Sequence, residues 1–483
     1  METAAPAGGS GLDRFFKFAQ WDTNIKRDTL AGLTTFMVMA YIIFVNPSIL
    51  GLGGAPEGLP FAAALTSTCL VAGVMTILMG LVTNRAYAIA PGMGLNAVVA
   101  FSLVLGQGLS MESAMGIIFL EGVAITILVL TGFREAIFKS IPLELKKAIV
   151  VGIGFFILFI GLVDGGFINV NGGTPVALVE FGKVPMAPLA VSIFALGITI
   201  VMMALKWKPA ILLGILFSTI FAIVLNYAMG KDVGFIPGTA VMPEKATEWP
   251  DFSLIGAFDL GAFSKLGFAA AVLWIFSLML SDFFDTMGTL VGVGGQAGYL
   301  DEKGNLPQVN RPLLIDSLSA VAGGACSSSS ATTYIESGAG VGVGGRTGWV
   351  GVVVGVLFLL AMFFSPIAGV VPAQATSAAL IIVGYYMMAT LTKAEADAEH
   401  SEAEPKAGID FSKLEFGLPA VLIMTIMPLT YSITNGIGFG FIAYTLIRVV
   451  QGKAREVNWL LWVATIAFMI YFVWPYFDAK GWV

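Results

Sequence analysis

The stretches Ile89-Ala90-Pro91-Gly92-Met93-Gly94 and Ile335-Glu336-Ser337-Gly338-Ala339-Gly340 carry the same punctuation twice, 246 residues apart (338 − 92 = 246), about half of a 483-residue chain. Each follows a short run that reads as extended, Ala86-Tyr87-Ala88-Ile89 and Thr332-Thr333-Tyr334-Ile335, and each opens a short Gly-bearing helix. Six residues are a weak match alone. Broken segments at corresponding places in two halves are nonetheless the sequence mark of a transporter site built where helices are interrupted at mid-membrane.

Composition agrees with that reading. The chain is 57% hydrophobic and 12% charged, with a mean hydropathy of +0.89, whereas soluble domains carry about 25% charged residues. Gly contributes 58 of 483 residues, well above the usual ~7%, as expected where helices pack closely or break. Apolar runs of the length a bilayer requires lie at about 29–50, 61–82, 113–132, 146–166, 187–205, 209–229, 265–294, 348–372 and 373–392. Shorter or interrupted runs lie at 86–106, 310–326, 328–345, 417–432 and 434–451, which makes fourteen expected spans.

Basic residues test the count, because Lys and Arg of short loops collect on the cytoplasmic side. With a cytoplasmic N-terminus and fourteen spans, only Lys183, Lys231, Lys245 and Lys265 face outward, against twenty on the inner side. Reading 417–451 as one helix would send Arg448, Lys453 and Arg455 outward, so two short helices turning at Thr434-Asn435-Gly436 are expected. Seven spans per half would make the halves inverted. The run Trp459 to Trp474 is left as an extra span or an interfacial helix. Residues 395–408, with the sole histidine, His400, read as a solvated cytoplasmic linker.

Several function classes drop out. Cys69 and Cys326 are the only cysteines, so no disulfide framework or His/Cys zinc site is expected, and no cofactor or metal is implied. The formal charge is −6 and no dense basic run tracks nucleic acid. The N-terminus lacks the short apolar core of a cleaved signal.

Polar residues inside apolar runs mark the candidate site. Asp282, Asp285, Thr286 and Thr289 follow i, i+3, i+4, i+7, which puts two carboxylates and two hydroxyls on one helix face. A carboxylate at mid-membrane costs about 2.5–3.5 kcal/mol on insertion scales, so a partner, cavity or proton must meet it. The alternative is a structural hydrogen-bond network at a span end. Glu336 sits at the second break, where backbone amides would be free to face a ligand; alternatively it caps its own helix. Asn96, one turn into the matching helix, offers a donor and an acceptor. Glu121 and Asp316 read as structural or coupling residues, Asp164 and Asn171 as water-facing, and Cys326 with Ser327–Ser330 as a small-residue crossing.

These residues belong to longer strings: Thr34-Thr35-Phe36-Met37, Tyr41-Ile42-Ile43-Phe44-Val45-Asn46-Pro47, Ala90-Pro91-Gly92-Met93-Gly94-Leu95-Asn96-Ala97, Asp282-Phe283-Phe284-Asp285-Thr286-Met287-Gly288-Thr289, Thr333-Tyr334-Ile335-Glu336-Ser337 and Met427-Pro428-Leu429-Thr430-Tyr431-Ser432-Ile433. In this order they resemble the nucleobase/cation symporter family of xanthine and uracil permeases, in its AzgA-like hypoxanthine/adenine/guanine branch, from about Phe15 to Trp474. The resemblance implies an all-α polytopic fold of two inverted seven-helix repeats with two strand/half-helix segments. It implies a core domain (29–132 and 265–372) and a gate domain (146–229 and 373–451, including the 394–416 loop), flanked by a cytoplasmic N-terminus (1–28) and a C-terminal segment (452–483). It assigns purine binding to Asn96, Asp282 and Glu336, with Gly94 and Asp285 as supporting positions; Asp316, Glu121 and Tyr334 are expected beside them as coupling or supporting residues.

The resemblance further implies a plasma-membrane symporter that is not an enzyme, carrying a purine nucleobase with a proton and able to form homodimers. Xanthine carriers have an Asn soon after the segment-ten acid and then Thr-Arg; here Ser337 and Gly345-Arg346-Thr347 depart from that pattern. A uracil or xanthine permease, or an anion carrier of the same fold, is the nearest rival, although acids without a mid-span cation suit no fixed anion. An intramembrane aspartyl enzyme using Asp282 and Asp285 is the rival from another class, and a channel the last.

Overall fold

The computed structural model describes residues 11–131, 141–171, 174–178, 186–230, 233–301, 306–393 and 409–478. In chain order the elements that position the site are α1 (Ile25–Met39), α2 (Ile42–Leu50), α3 (Phe61–Thr83), β1 (Ile89–Pro91), α4 (Met93–Ala97, prolonged by a π-helical stretch Val98–Gly106), α5 (Met111–Leu130), α6 (Leu143–Asp164), a hairpin β2–β3 (Ile168–Asn171, Thr174–Leu178), α7 (Met186–Ala204) and α8 (Ala210–Ala228). The second half runs α9 (Phe268–Ala297), α10 (Asn310–Ala325), β4 (Ala331–Thr333), α11 (Ser337–Gly342), α12 (Trp349–Ala361), α13 (Ala373–Lys393), α14 (Leu414–Leu429), α15 (Ile433–Val450) and α16 (Trp459–Asp478).

Among the described residues, nine helical stretches are long and apolar enough to cross a membrane, with Ile25–Leu50 and Trp349–Gly369 each counted as one. The strand-helix segments, α10, α13 and α14 complete the expected fourteen. The run after Trp459 is a regular helix packed on α15 and α9. The linker expected at 395–408 and His400 lie outside the described residues.

β1 and β4 join the halves. They pair antiparallel, Ile89 with Thr333, Ala90 with Thr332 and Pro91 with Ala331, and the Tyr334 amide continues the ladder to the Ala88 carbonyl (2.9 Å). Adding the 246-residue offset to Ala88 gives Tyr334, so the pseudo-two-fold of an inverted repeat passes through that pair. A two-stranded ribbon in a membrane leaves both outer edges without water, and each edge must find protein partners. On the β1 edge the Thr76 hydroxyl accepts from the Ile89 amide and donates to its carbonyl, both at 2.9 Å. The Ser337 hydroxyl accepts from the Ala88 amide at 2.9 Å. On the β4 edge the Asp316 carboxylate accepts the Thr333 amide at 2.8 Å.

Around this ribbon, α3 packs with α12 and α5 with α10, while α6 packs with α13, α14 and α15. A buried hydrogen bond from Ser277 to Thr434 (2.8 Å) ties α9 to α15. Two local expectations are corrected. The α14–α15 turn falls at Thr430–Ser432, ahead of Thr434–Gly436, because Tyr431 takes a left-handed conformation (φ 50°) and the Ser432 hydroxyl caps the helix by accepting from the Asn435 amide (3.2 Å). Residues 326–330 form no helical crossing: Ser327 and Ser329 are left-handed (φ 54° and 71°), and the loop is held by Ser67 donating to the Cys326 carbonyl and by Ser327 donating to that of Ala257.

Candidate functional site

The first span is interrupted at Ala40–Tyr41, between Met39 and Ile42, although both residues keep helical dihedrals. Tyr41 is fully buried, and its hydroxyl donates to Glu336 Oε1 at 2.7 Å across 295 residues of sequence. Glu336 is half-buried and makes no capping bond to α11, so the capping alternative does not describe it. The expected free amides are also absent there: Ser337 and Gly338 donate to the Tyr334 and Ile335 carbonyls (3.1 and 2.9 Å). Recognition at this break therefore rests on side chains.

Asp285 lies within electrostatic reach of both Asp316 and Glu336, and Tyr334, whose hydroxyl donates to the Pro91 carbonyl, feels Glu336 and Asp285 in turn. Three carboxyl groups and two phenols thus converge from α9, α10, β4–α11 and the α1–α2 break.

The first-half side of the site is an amide chain. Asn96 is fully buried, and its Nδ2 donates to Asn46 Oδ1 at 2.7 Å. Asn46 donates in turn to Thr68 Oγ1 (2.8 Å) and to the Ser328 carbonyl (3.1 Å). This chain occupies one of the two N–H donors of the Asn96 amide and orients it, yet Asn96 Oδ1 has no hydrogen-bond partner among the described residues. A buried acceptor left unsatisfied costs about 1–3 kcal/mol, and a ligand N–H would recover that cost.

On α9, Asp282, Thr286 and Thr289 are buried and Asp285 half-buried, so the face read from the spacing points inward. Thr286 donates to Asp316 Oδ2 at 2.6 Å and shares a 2.7 Å hydrogen bond with Thr332. Asp316 Oδ1 accepts from the Thr333 hydroxyl as well as its amide, both at 2.8 Å. Asp316 is therefore spent on holding β4, and through it the start of α11, in register with α9.

Glu121 is buried on α5 beside Gly122, which abuts the Val321 backbone of α10, and so belongs to a helix interface. Gly94 faces α6: a Cβ there would come within 2.8 Å of Ile153 Cγ2. It keeps the half-helix close to α6. Asp164, expected in water, is half-buried at the end of α6.

The permease family matches residues 27–404. The chain belongs to this permease family. It is 39% identical to the guanine/hypoxanthine permease PbuG of Bacillus subtilis, over 96% of this chain and 99% of that one. It is 36% identical to the adenine permease AdeP of Escherichia coli, over 97% and 98%. Its fold is that of the transmembrane domain of a cyanobacterial bicarbonate transporter, BicA (TM-score 0.58, 14% identity, 86% of this chain and 96% of that one). The chain is thus an integral membrane transporter, in the branch that its strings resemble, and not an enzyme.

In the permease, spacing alone missed Tyr41, Asn46, Thr68 and the Thr332–Thr333 pair. A signal existed for the first two, since they are the polar residues of the otherwise apolar run Tyr41–Pro47. Thr68 resembles any mid-helix threonine, bonded to the Ala64 carbonyl. Tyr41→Phe removes one hydrogen bond to a carboxylate, a loss of about 1.5–3 kcal/mol. It is expected to lower uptake efficiency roughly tenfold with unchanged expression, as measured by initial rates at matched protein levels.

Proposed function

We propose that this permease imports purine nucleobases with a proton, binding the heterocycle between Glu336, Asp282 and Asn96. The observation that carries the reading is the pairing of an oriented carboxylate, Glu336 fixed by Tyr41, with an open amide oxygen on Asn96. A planar purine presents ring N–H donors in one plane, and two acceptors held by neighbouring side chains suit such donors. The names of PbuG and AdeP, which match over nearly their full length, support a purine. A fixed anion is a poor fit, since α4, α9 and α11 contain no Lys or Arg.

Proton coupling is assigned to Asp285 and Glu336, with Asp316 as the fixed acid beside them. Like charges this close in a low dielectric cannot all remain ionised, so a proton taken up with the substrate lowers the cost of carrying it across. The core set (29–132, 265–372) moves against the gate set (146–229, 373–451). The protein sits in the plasma membrane with a cytoplasmic N-terminus, an orientation that the distribution of basic residues supports, and pairs as a homodimer through the gate set.

Uptake of labelled hypoxanthine in cells without their own purine carriers tests the proposal, with adenine, guanine, xanthine and uracil as competitors and a protonophore as control. Saturable uptake blocked by purines and by the protonophore, with uracil inert, is the expected result. Best competition by uracil would overturn the substrate, and indifference to the protonophore would overturn the coupling.

A further inference from the structure

In α11, Ser337-Gly338-Ala339-Gly340-Val341-Gly342, every second residue is glycine. Glycine disfavours helix more than any residue except proline, and so short a helix cannot hold itself. Glu336 stands immediately before it, so the direction of that carboxylate must be set by whatever grips α11 from outside. The grip comes from α1. Both α11 and α12 pack on it, and a Cβ on Gly340 would lie 2.6 Å from the Ala31 carbonyl oxygen, so the two backbones run in contact.

Just past the C-terminal end of α1, Tyr41 holds Glu336. At the other end Asp28 lies in the first turn and is fully buried. An acid in a first turn commonly serves the free amides of its own helix, but Asp28 meets the chain that follows α11. Its Oδ1 accepts from the Thr23 hydroxyl (2.7 Å) and the Arg346 amide (3.2 Å), and its Oδ2 from the Thr347 amide (2.9 Å) and hydroxyl (2.5 Å). Arg346 completes the link, its guanidinium donating to the Val341 and Gly345 carbonyls (2.7 and 2.8 Å) at the end of α11. One helix line thus fixes Glu336 at Tyr41 and, about 20 Å away along its axis, the turn that ends the half-helix of Glu336.

We propose that Asp28 is a positioning residue for the purine site: through the Arg346–Thr347 turn it holds α11 against α1 and so keeps the Glu336 carboxylate in line with the Tyr41 hydroxyl. In Asp28→Asn one oxygen becomes an NH2 facing donors it cannot accept from, so the turn is released while the side chain keeps its shape. The proposal rests on Glu336 binding the purine, and two readouts separate the claims. The first is initial-rate uptake of labelled hypoxanthine at matched expression. Asp28→Asn is expected to raise KM about tenfold, the scale of one hydrogen bond to a charged group, with little change in maximal rate. In a Glu336→Gln background the same change is expected to alter residual uptake by less than about twofold, because the group it positions is already gone. The second readout needs no substrate: amide hydrogen exchange of the purified full-length protein. There Asp28→Asn is expected to speed exchange across residues 337–343 several-fold, with α3 and α5 as in the unaltered protein. A loss of uptake as large in the Glu336→Gln background as in the unaltered one, or unchanged exchange across 337–343, would overturn the positioning role. An absence of purine uptake by the unaltered protein would overturn the purine reading instead, and the exchange experiment then decides alone. Should Asp28→Asn fail to fold, Thr347→Val, which removes one donor and keeps the amide, is read in the same way.

Discussion

Glu336→Gln is expected to lower saturable purine uptake about 100-fold at matched expression. Gln can still accept from Tyr41 through its carbonyl, so the α1–α2 break keeps its anchor. What changes is the other side of the group: an acceptor becomes an NH2 that faces the ligand's own N–H donors. Losing one charged, buried hydrogen bond costs about 2–5 kcal/mol, and each 1.4 kcal/mol is tenfold, so two orders of magnitude is the natural scale. Whatever uptake remains should respond less to a protonophore, because one of the carboxyls that share the coupling proton has been replaced by a group that cannot titrate. The measurement is initial-rate uptake with and without protonophore, alongside Glu336→Asp, which restores the charge at a shorter reach. Full, protonophore-sensitive uptake by Glu336→Gln would remove Glu336 from both roles.

Gly348→Ala is expected to cost about 1–3 kcal/mol of stability, the usual penalty of overpacking, and to depress the yield of folded protein sharply. Where α3 meets α12, Gly73 and Gly80 face Gly348, Gly351 and Gly355, and the backbones touch. A Cβ on Gly348 would lie 1.9 Å from the Gly80 carbonyl oxygen, and one on Gly355 2.4 Å from that of Gly73. Backbone on both sides cannot rotate aside as a side chain would, so the two helices must separate. They also carry the Asn84 bridge, whose side chain accepts from the Gly348 amide (3.0 Å) and donates to the Phe16 carbonyl (2.8 Å), so separation would loosen the N-terminal segment as well. Gly197→Ala is the control, since nothing lies within 4 Å of the added methyl; it should be neutral or gain about 0.4–1 kcal/mol. Thermal unfolding of the purified proteins followed by size-exclusion chromatography separates the two. Equal stability for both variants would contradict the close crossing.

The helix boundaries were legible because a bilayer imposes a length and a polarity that composition alone satisfies. Expected spans at 61–82, 187–205 and 310–326 fall within a few residues of Phe61–Thr83, Met186–Ala204 and Asn310–Ala325. The first span was legible only as a length. Its division at Ala40–Tyr41 left no Gly or Pro at the break, and nothing local announces that this tyrosine will meet an acid 295 residues away. The α14–α15 turn was misplaced by a few residues for a related reason: Thr434-Asn435-Gly436 has the composition of a turn, but the Ser432 cap starts the helix before it.

By itself, then, the sequence determined the class of protein, the number and order of the spans, the inverted repeat and the inward polar face of α9, because each follows from periodicity, length or charge along one stretch of chain. Only the tertiary structure decided what those polar groups do. Asp316 is a buried and Glu336 a half-buried carboxylate, and the sequence separates them only as a mid-span acid and an acid at the second break, without naming the partner of either. The fold gives Asp316 the β4 edge, which must be satisfied where no water reaches, and so commits it to holding backbone. It gives Glu336 the Tyr41 phenol and sets it half-buried beside Asp285 and Tyr334. That difference arises from which backbone groups each carboxylate meets across the pseudo-two-fold, a relation between distant residues that no local pattern encodes.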